Sequence, residues 1–222
     1  MSLLTIENIT KSFSSGTKTT VLNHISFDVD PGQFVAITGP SGQGKSTLLA
    51  IAAGLLAPDE GDVLFDGESV LRMPEPRLNA YRSRDLGFIY QKPKTFAALT
   101  AYENVFFALK QRFGRDAKER TEAALEAYGL AEVADNLPSQ LSFGQLRRLA
   151  ITRTLACEPR LLLADEPTND LDVRWCEQVM ADLAAFAAKE GRAVVMVTHD
   201  TRYVPLVPVR YRLSGEGISP CE

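Results

Sequence analysis

Cysteine is scarce in this chain. Cys157, Cys176 and Cys221 are an odd number without metal-ligand spacing, so neither a disulfide framework nor a zinc site is expected. A reduced chain is the natural reading. A basic excess is also lacking. Twenty-four Lys and Arg against 28 Asp and Glu leave a net charge of −4, which does not suit a sequence-independent nucleic-acid binder. No nucleic-acid partner is expected. The longest apolar run, residues 48–57, falls well short of the roughly 18–20 residues that cross a bilayer. The opening MSLLTIENIT has no basic start followed by an apolar core, so no secretory leader is expected. Internal repeats and low-complexity segments are missing too.

The chain has 222 residues, 45% of them hydrophobic and 23% charged, which is ordinary globular composition. That length buries enough surface to fold without staples. Ile25, Phe27 and Val29 alternate with Ser26, Asp28 and Asp30, the period of a half-buried strand. Asp30-Pro31-Gly32 then reads as a turn, and Val63 and Phe65 lead into an Asp66-Gly67 hairpin. Three apolar runs do not alternate: residues 34–37, 161–164 and 193–197. Such runs suit strands buried on both faces of a parallel sheet. Leu48, Ile51, Ala52 and Leu55, and then Val173, Cys176, Met180, Leu183 and Ala187, follow helical spacing. Residues 92–157 lack a buried strand, and helices are predicted at 102–113, 117–128 and 145–157. The expected architecture is one domain over residues 1–222. It has a mainly parallel α/β core, an antiparallel β flank and a helical subdomain inserted at about 92–157.

Chemistry concentrates at the ends of the buried runs. Gly39-Pro40-Ser41-Gly42-Gln43-Gly44-Lys45-Ser46-Thr47 matches the phosphate loop G-x-x-x-x-G-K-[ST], between a predicted strand and helix. Its glycines let the backbone N–H groups wrap a phosphate, and Lys45 adds a full charge. The helix N-terminus adds a partial one, and Ser46 offers a hydroxyl to Mg²⁺. The run 161–164 ends in Asp165 and Glu166, a candidate Mg²⁺ ligand and a candidate general base; a solvated acidic turn is the plain alternative. The third run ends near His199. In open α/β sheets ligands bind outside the carboxyl ends of strands, so three strands deliver a cation, a carboxylate pair and an imidazole to one edge. Gln91 follows a short apolar strand at 86–90, where its amide can reach the metal or the attacking water; a plain loop glutamine is the alternative that spacing leaves open. Leu141-Ser142-Phe143-Gly144-Gln145 opens a helix. Ser142 and Gln145 have capping-box spacing, and the same segment suits a second anion site.

These motifs, over about residues 4–218, resemble the nucleotide-binding subunit of an ABC transporter. In order they match its Walker A loop, Q-loop (Gln91), signature (141–145), Walker B with Glu166, D-loop (169–172) and switch His199. The resemblance implies a P-loop NTPase fold, with ATP and Mg²⁺ as ligands and Ser46, Gln91 and Asp165 around the metal. Phe13 matches the position that stacks on adenine; a buried strand residue is the alternative. Glu166 would orient the attacking water, and His199 would contact the γ-phosphate. Two copies, or this chain and a homologous cassette, would close head to tail. Ser142, Phe143, Gly144, Gln145 and Asp172 would then reach the partner's nucleotide, Asp172 also serving as a helix cap.

One departure stands out: Phe143 replaces the signature's usual glycine. Because Phe does not adopt positive φ cheaply, a helical or extended backbone is expected there. The family couples such dimers to integral membrane permease chains, placing the protein peripherally on the cytoplasmic face. The apolar side chains in residues 92–110, Phe96 and Leu99 among them, are expected to form a partly exposed contact for those chains. The chain also looks similar to the branch of lipoprotein-release, macrolide-efflux and cell-division ATPases. That leaves two functions open, powering a transporter or driving a mechanical signal across the membrane. A soluble ATPase of translation or repair fits poorly, because such proteins resemble two fused cassettes or carry long coiled coils.

Overall fold

The computed structural model describes residues 1–15 and 17–221. Strands β1 (Leu4–Ser15) and β2 (Thr17–Val29) form the antiparallel flank with β4 (Glu60–Phe65) and β5 (Glu68–Ser69), in the order β2-β1-β4-β5. Side chains of β2 obey the alternation: Ile25, Phe27 and Val29 are buried, Ser26 and Asp28 exposed. Asp66 and Gly67 link β4 to β5, both at positive φ, the backbone that tight hairpins prefer.

The second sheet has the order β10-β9-β3-β8-β7-β6. Its centre is β3 (Phe34–Thr38), β8 (Ala193–Thr198) and β7 (Leu161–Asp165), with β6 (Leu86–Ile89) at one edge. These four run parallel. Strand β9 (Val209–Ser214) is parallel to β3, and β10 (Gly217–Pro220) turns back antiparallel at the other edge. The central strands separate two apolar clusters. Val35, Ile37, Leu161, Leu163, Val195 and Val197 face one. Phe34, Ala36, Leu162, Ala164, Val194 and Met196 face the other. Burial on both sides is why these runs do not alternate.

Helix α1 (Lys45–Ala52) packs into the first cluster and α6 (Val173–Ala187) into the second. Two positions assigned to apolar helix faces lie elsewhere. Leu55 falls beyond α1, which ends as Gly54 turns to φ +64, and its side chain is half exposed. Val173, at the first residue of α6, is exposed while Cys176, Met180, Leu183 and Ala187 are buried. A short helix absent from the sequence reading, α2 (Glu75–Ala80), continues through a π-helical turn into β6. Between β6 and β7 lie α3 (Ala101–Phe113), α4 (Ala117–Ala127) and α5 (Phe143–Ala156), close to the predicted helices. Ala101, Val105, Leu109, Ala117, Leu125, Leu149 and Ile151 of these helices join the second cluster. No helix of the described residues is long and apolar enough to cross a membrane.

Candidate active site

Strand register sets the site. Thr38 pairs with Thr198, and Asp165 with Val197, so β3, β7 and β8 end at the same level. Ile89 pairs with Ala164, which brings Gln91 to that edge as well. A cleft of about 370 Å³ opens there, lined by Phe13 and Val21 from the flank, Ser41 to Thr47 apart from Gln43, and Gln91, Asp165 and Glu166.

The loop after β3 needs glycine at two points. Gly39 has φ +154, and a Cβ there would lie 2.4 Å from the Leu213 carbonyl oxygen. Gly44, at φ +86, would meet Val21 and Leu22 of β2 within 3 Å. The two sheets thus press on the loop from both sides. Lys45 is buried, and its Nζ donates to the carbonyls of Gly39 (2.7 Å) and Pro40 (2.9 Å). Those carbonyls hold the ammonium over the loop while N–H groups remain at the start of α1. Gln43 points away, its Oε1 lying 3.9 Å from where a Cβ on Gly215 would stand. Phe13 is 44% exposed on the cleft rather than buried in its strand, and Lys11 Nζ sits 5.6 Å from its ring centre.

At the far wall, Asp165 and Glu166 are both buried. Burial pushes the Asp165 carboxyl up from its ordinary value. A hydrogen bond from Ser46 pulls it back, and the charge of Glu166 adds to the rise. Glu166 adopts φ +50. Its carboxylate accepts from Thr198 Oγ1 (2.9 Å) and from the His199 backbone N–H (3.1 Å), and it lies 2.6 Å from His199 Nδ1. Three neighbouring groups therefore set its direction. The oxygen chemistry of Ser46, Asp165 and Gln91 suits a hard cation that keeps water and phosphate oxygens as its other ligands. Among the described residues no cluster of three His, Cys, Asp or Glu makes a closed metal cage.

The remaining candidates lie outside the cleft. Ser142 caps α5 in a reciprocal box. Its Oγ accepts from Gln145 N (3.3 Å), and Gln145 Oε1 accepts from Ser142 N (2.8 Å). Phe143 begins the helix with its side chain 52% exposed, so the expectation of an ordinary backbone there holds. Nothing inside the chain demands glycine at Gly144: a Cβ would meet only the Asp170 carbonyl oxygen at 3.7 Å. Asp172 caps α6 through Trp175 N (3.0 Å). Two residues of the site escaped the sequence reading. Thr198 was legible as the residue before His199. Arg147, entirely buried, was not, because an arginine in an amphipathic helix ordinarily reads as a solvent-facing position.

Comparison with known proteins identifies the family. The family described as ABC transporter matches residues 22–169. The lipoprotein-releasing system ATP-binding protein LolD 2 of Rhodospirillum rubrum is 40% identical over 202 residues, 89% of this chain and 87% of that protein. The macrolide export ATP-binding/permease protein MacB of Syntrophobacter fumaroxidans is 40% identical over 205 residues, 90% of this chain and 29% of that protein. Among solved structures, the dimeric ATP-binding cassette MJ0796 in a post-hydrolysis state bound to ADP and Pi superposes with a TM-score of 0.90. It is 33% identical, covering 97% of this chain and 96% of that one. The chain belongs to the ABC transporter family, as an ATP-binding and ATP-hydrolysing cassette.

Proposed function

We propose that this cassette works as a head-to-tail dimer that powers transport through separate membrane-spanning chains. The separation of its site residues carries the reading. One cleft gathers the phosphate loop, Phe13, Gln91, Asp165 and Glu166. Ser142, Phe143, Gly144, Gln145 and Asp172 stand outside it at the starts of α5 and α6. A second copy completes each site by presenting that second set to the first copy's nucleotide. The dimeric cassette structures of MJ0796 support this arrangement.

In the cleft, Phe13 stacks on adenine and Lys45 with the loop N–H groups holds the phosphates. Ser46, Gln91 and Asp165 would hold Mg²⁺, which would supply positive charge against the phosphates. Glu166 accepts the proton of a water whose oxygen attacks the γ-phosphorus, and ADP leaves. His199, hydrogen-bonded to Glu166, aims that carboxylate and contacts the γ-phosphate. Glu166→Gln tests the scheme. It keeps the shape but cannot take the proton, so kcat falls at least about 100-fold, or roughly 2.7 kcal/mol of barrier. An ATP-trapped dimer should also appear by size-exclusion chromatography. Normal turnover by this variant would refute the role of Glu166.

A larger groove, about 770 Å³, lies away from the cleft between α3, α5 and the turn before β6. Phe96 and Phe107 are about half exposed there, ring to ring at 5.7 Å. Arg84, Arg112, Arg153 and Arg160 line it with a single acid, Asp85, which Arg77 already binds at 3.0 Å. Aromatic anchors ringed by guanidinium groups suit a short permease helix with an apolar face and carboxylates. This supports peripheral attachment at the cytoplasmic face, with the whole chain moving as one cassette. The relatives named for lipoprotein release and macrolide export favour transport over a purely mechanical signal.

A further inference from the structure

Arg147 sits one turn into α5 and is the largest fully buried side chain of the described residues. All five guanidinium N–H groups go to backbone carbonyls. Nε donates to Pro167 (3.3 Å), and Nη1 to Tyr90 (2.5 Å) and Gln91 (2.8 Å). Nη2 donates to Asp165 (3.3 Å) and to Glu166. Among the described residues it forms no ion pair within 4 Å. A buried cation without a direct carboxylate partner is a poor route to stability, and an apolar side chain of similar volume commonly serves better. Its use is better sought in what it joins.

One end of that joint is the start of α5, where Ser142 and Gly144 lie. The other end is the backbone of the residues whose side chains form the chain's own cleft: Gln91 just past β6, Asp165 at the end of β7 and Glu166 just beyond it. Glu166 stands at φ +50, a conformation that costs a non-glycine residue free energy and needs fixing from outside. Arg147 holds the carbonyls before, at and after it. The guanidinium is planar, with five donors in a fixed fork. Helix α5 therefore cannot shift without carrying the carbonyls of 90–91 and 165–167 along.

We propose that Arg147 is a positioning residue that couples the two ATP sites of the dimer. It transmits the seating of α5 on the partner's nucleotide to Gln91, Asp165 and Glu166 in its own cleft. The proposal rests on the head-to-tail dimer above. It predicts that each site hydrolyses well only when the opposite site is occupied.

The test compares the full chain with its Arg147→Lys and Arg147→Met variants. Lysine keeps the charge but has three donors rather than five; methionine keeps the volume. Steady-state turnover against ATP concentration is measured beside titration with a fluorescent ATP analogue and thermal melting. The wild type should show a Hill coefficient above about 1.5. Both variants should keep analogue affinity within about threefold and lose about tenfold or more in kcat, and their Hill coefficient should fall to about 1. A packing role alone would lower the melting temperature and affinity together while leaving the Hill coefficient in place, which overturns the proposal. Variants that both fail to fold make Arg147 a folding determinant and overturn it as well. A wild type with a Hill coefficient of 1 would instead remove the dimer reading, and the coupling with it.

Discussion

Asp165 illustrates how a buried candidate metal ligand costs stability. Burial raises its carboxyl above the ordinary value, against the smaller pull of Ser46, Arg147 and Lys45. A carboxyl whose folded pKa is raised favours folding in its protonated form. That contribution is complete below the unfolded value, near 4, and is lost as pH rises through the folded value. At neutral pH the ionised group therefore works against the fold. Asp165→Asn should raise the melting temperature at pH 7.5, by about 2–4 °C for each kcal/mol relieved in a chain of this size. The gap should close toward pH 4. The same variant should gain nothing from Mg²⁺–ATP, whereas the wild type is stabilised by it. A lower melting temperature for Asp165→Asn at pH 7.5, measured by calorimetry without nucleotide, would contradict this account.

Helix α3 shows an element organised around one buried amide. Asn104 is fully buried. Its Oδ1 accepts from Phe96 N (2.8 Å), and its Nδ2 donates to the carbonyls of Phe96, Leu99 and Thr100. It thereby straps the segment after the Q-loop onto the helix, and the strap turns Phe96 outward, where Arg153 stacks on it at 5.2 Å. The sequence showed an excess of apolar residues here without showing which of them face solvent. Asn104→Ala leaves one N–H and three carbonyls without their side-chain partner. An unsatisfied buried group costs about 1–3 kcal/mol. The variant should melt several degrees lower and be cut faster by protease at residues 92–100, while the phosphate loop, on another strand, still binds nucleotide.

Across the molecule, the nucleotide cleft and the proposed docking groove lie on different surfaces. The nucleotide cleft opens at the carboxyl ends of β3, β7 and β8, and the basic aromatic groove lies against α3 and α5. Helix α5 reaches both from outside the cleft: Arg147 donates to the backbone of the cleft residues Gln91, Asp165 and Glu166, and Arg153 near its end lines the groove. Motion in the dimer can therefore reach the groove through one rigid element. Phe107→Asp places a charge on the groove without touching the cleft. The isolated chain should retain its ATP turnover, and copurification of the membrane partner should fall about tenfold or more. Retention of that partner would move the docking surface elsewhere.

Much of this was legible in the chain itself. The non-alternating runs identified the buried strands, because only a strand covered on both faces carries apolar residues at every position. Each run also announced its own end with a charged or polar group. Residues 39–47, Asp165, Glu166 and His199 therefore share one edge on the sequence pattern alone. Strands β9 and β10 were passed over even though Val209, Tyr211 and Leu213 alternate with Arg210 and Arg212. Arg147 left no such trace. Its partners are carbonyls of residues about 20 and 57 positions away, and every residue carries a carbonyl, so no side-chain pattern marks which ones will converge. Residue chemistry and strand ends follow from local sequence. The distance of residues 142–145 and 172 from the cleft, and the buried arginine whose donors reach the cleft backbone, follow from which backbones pack together.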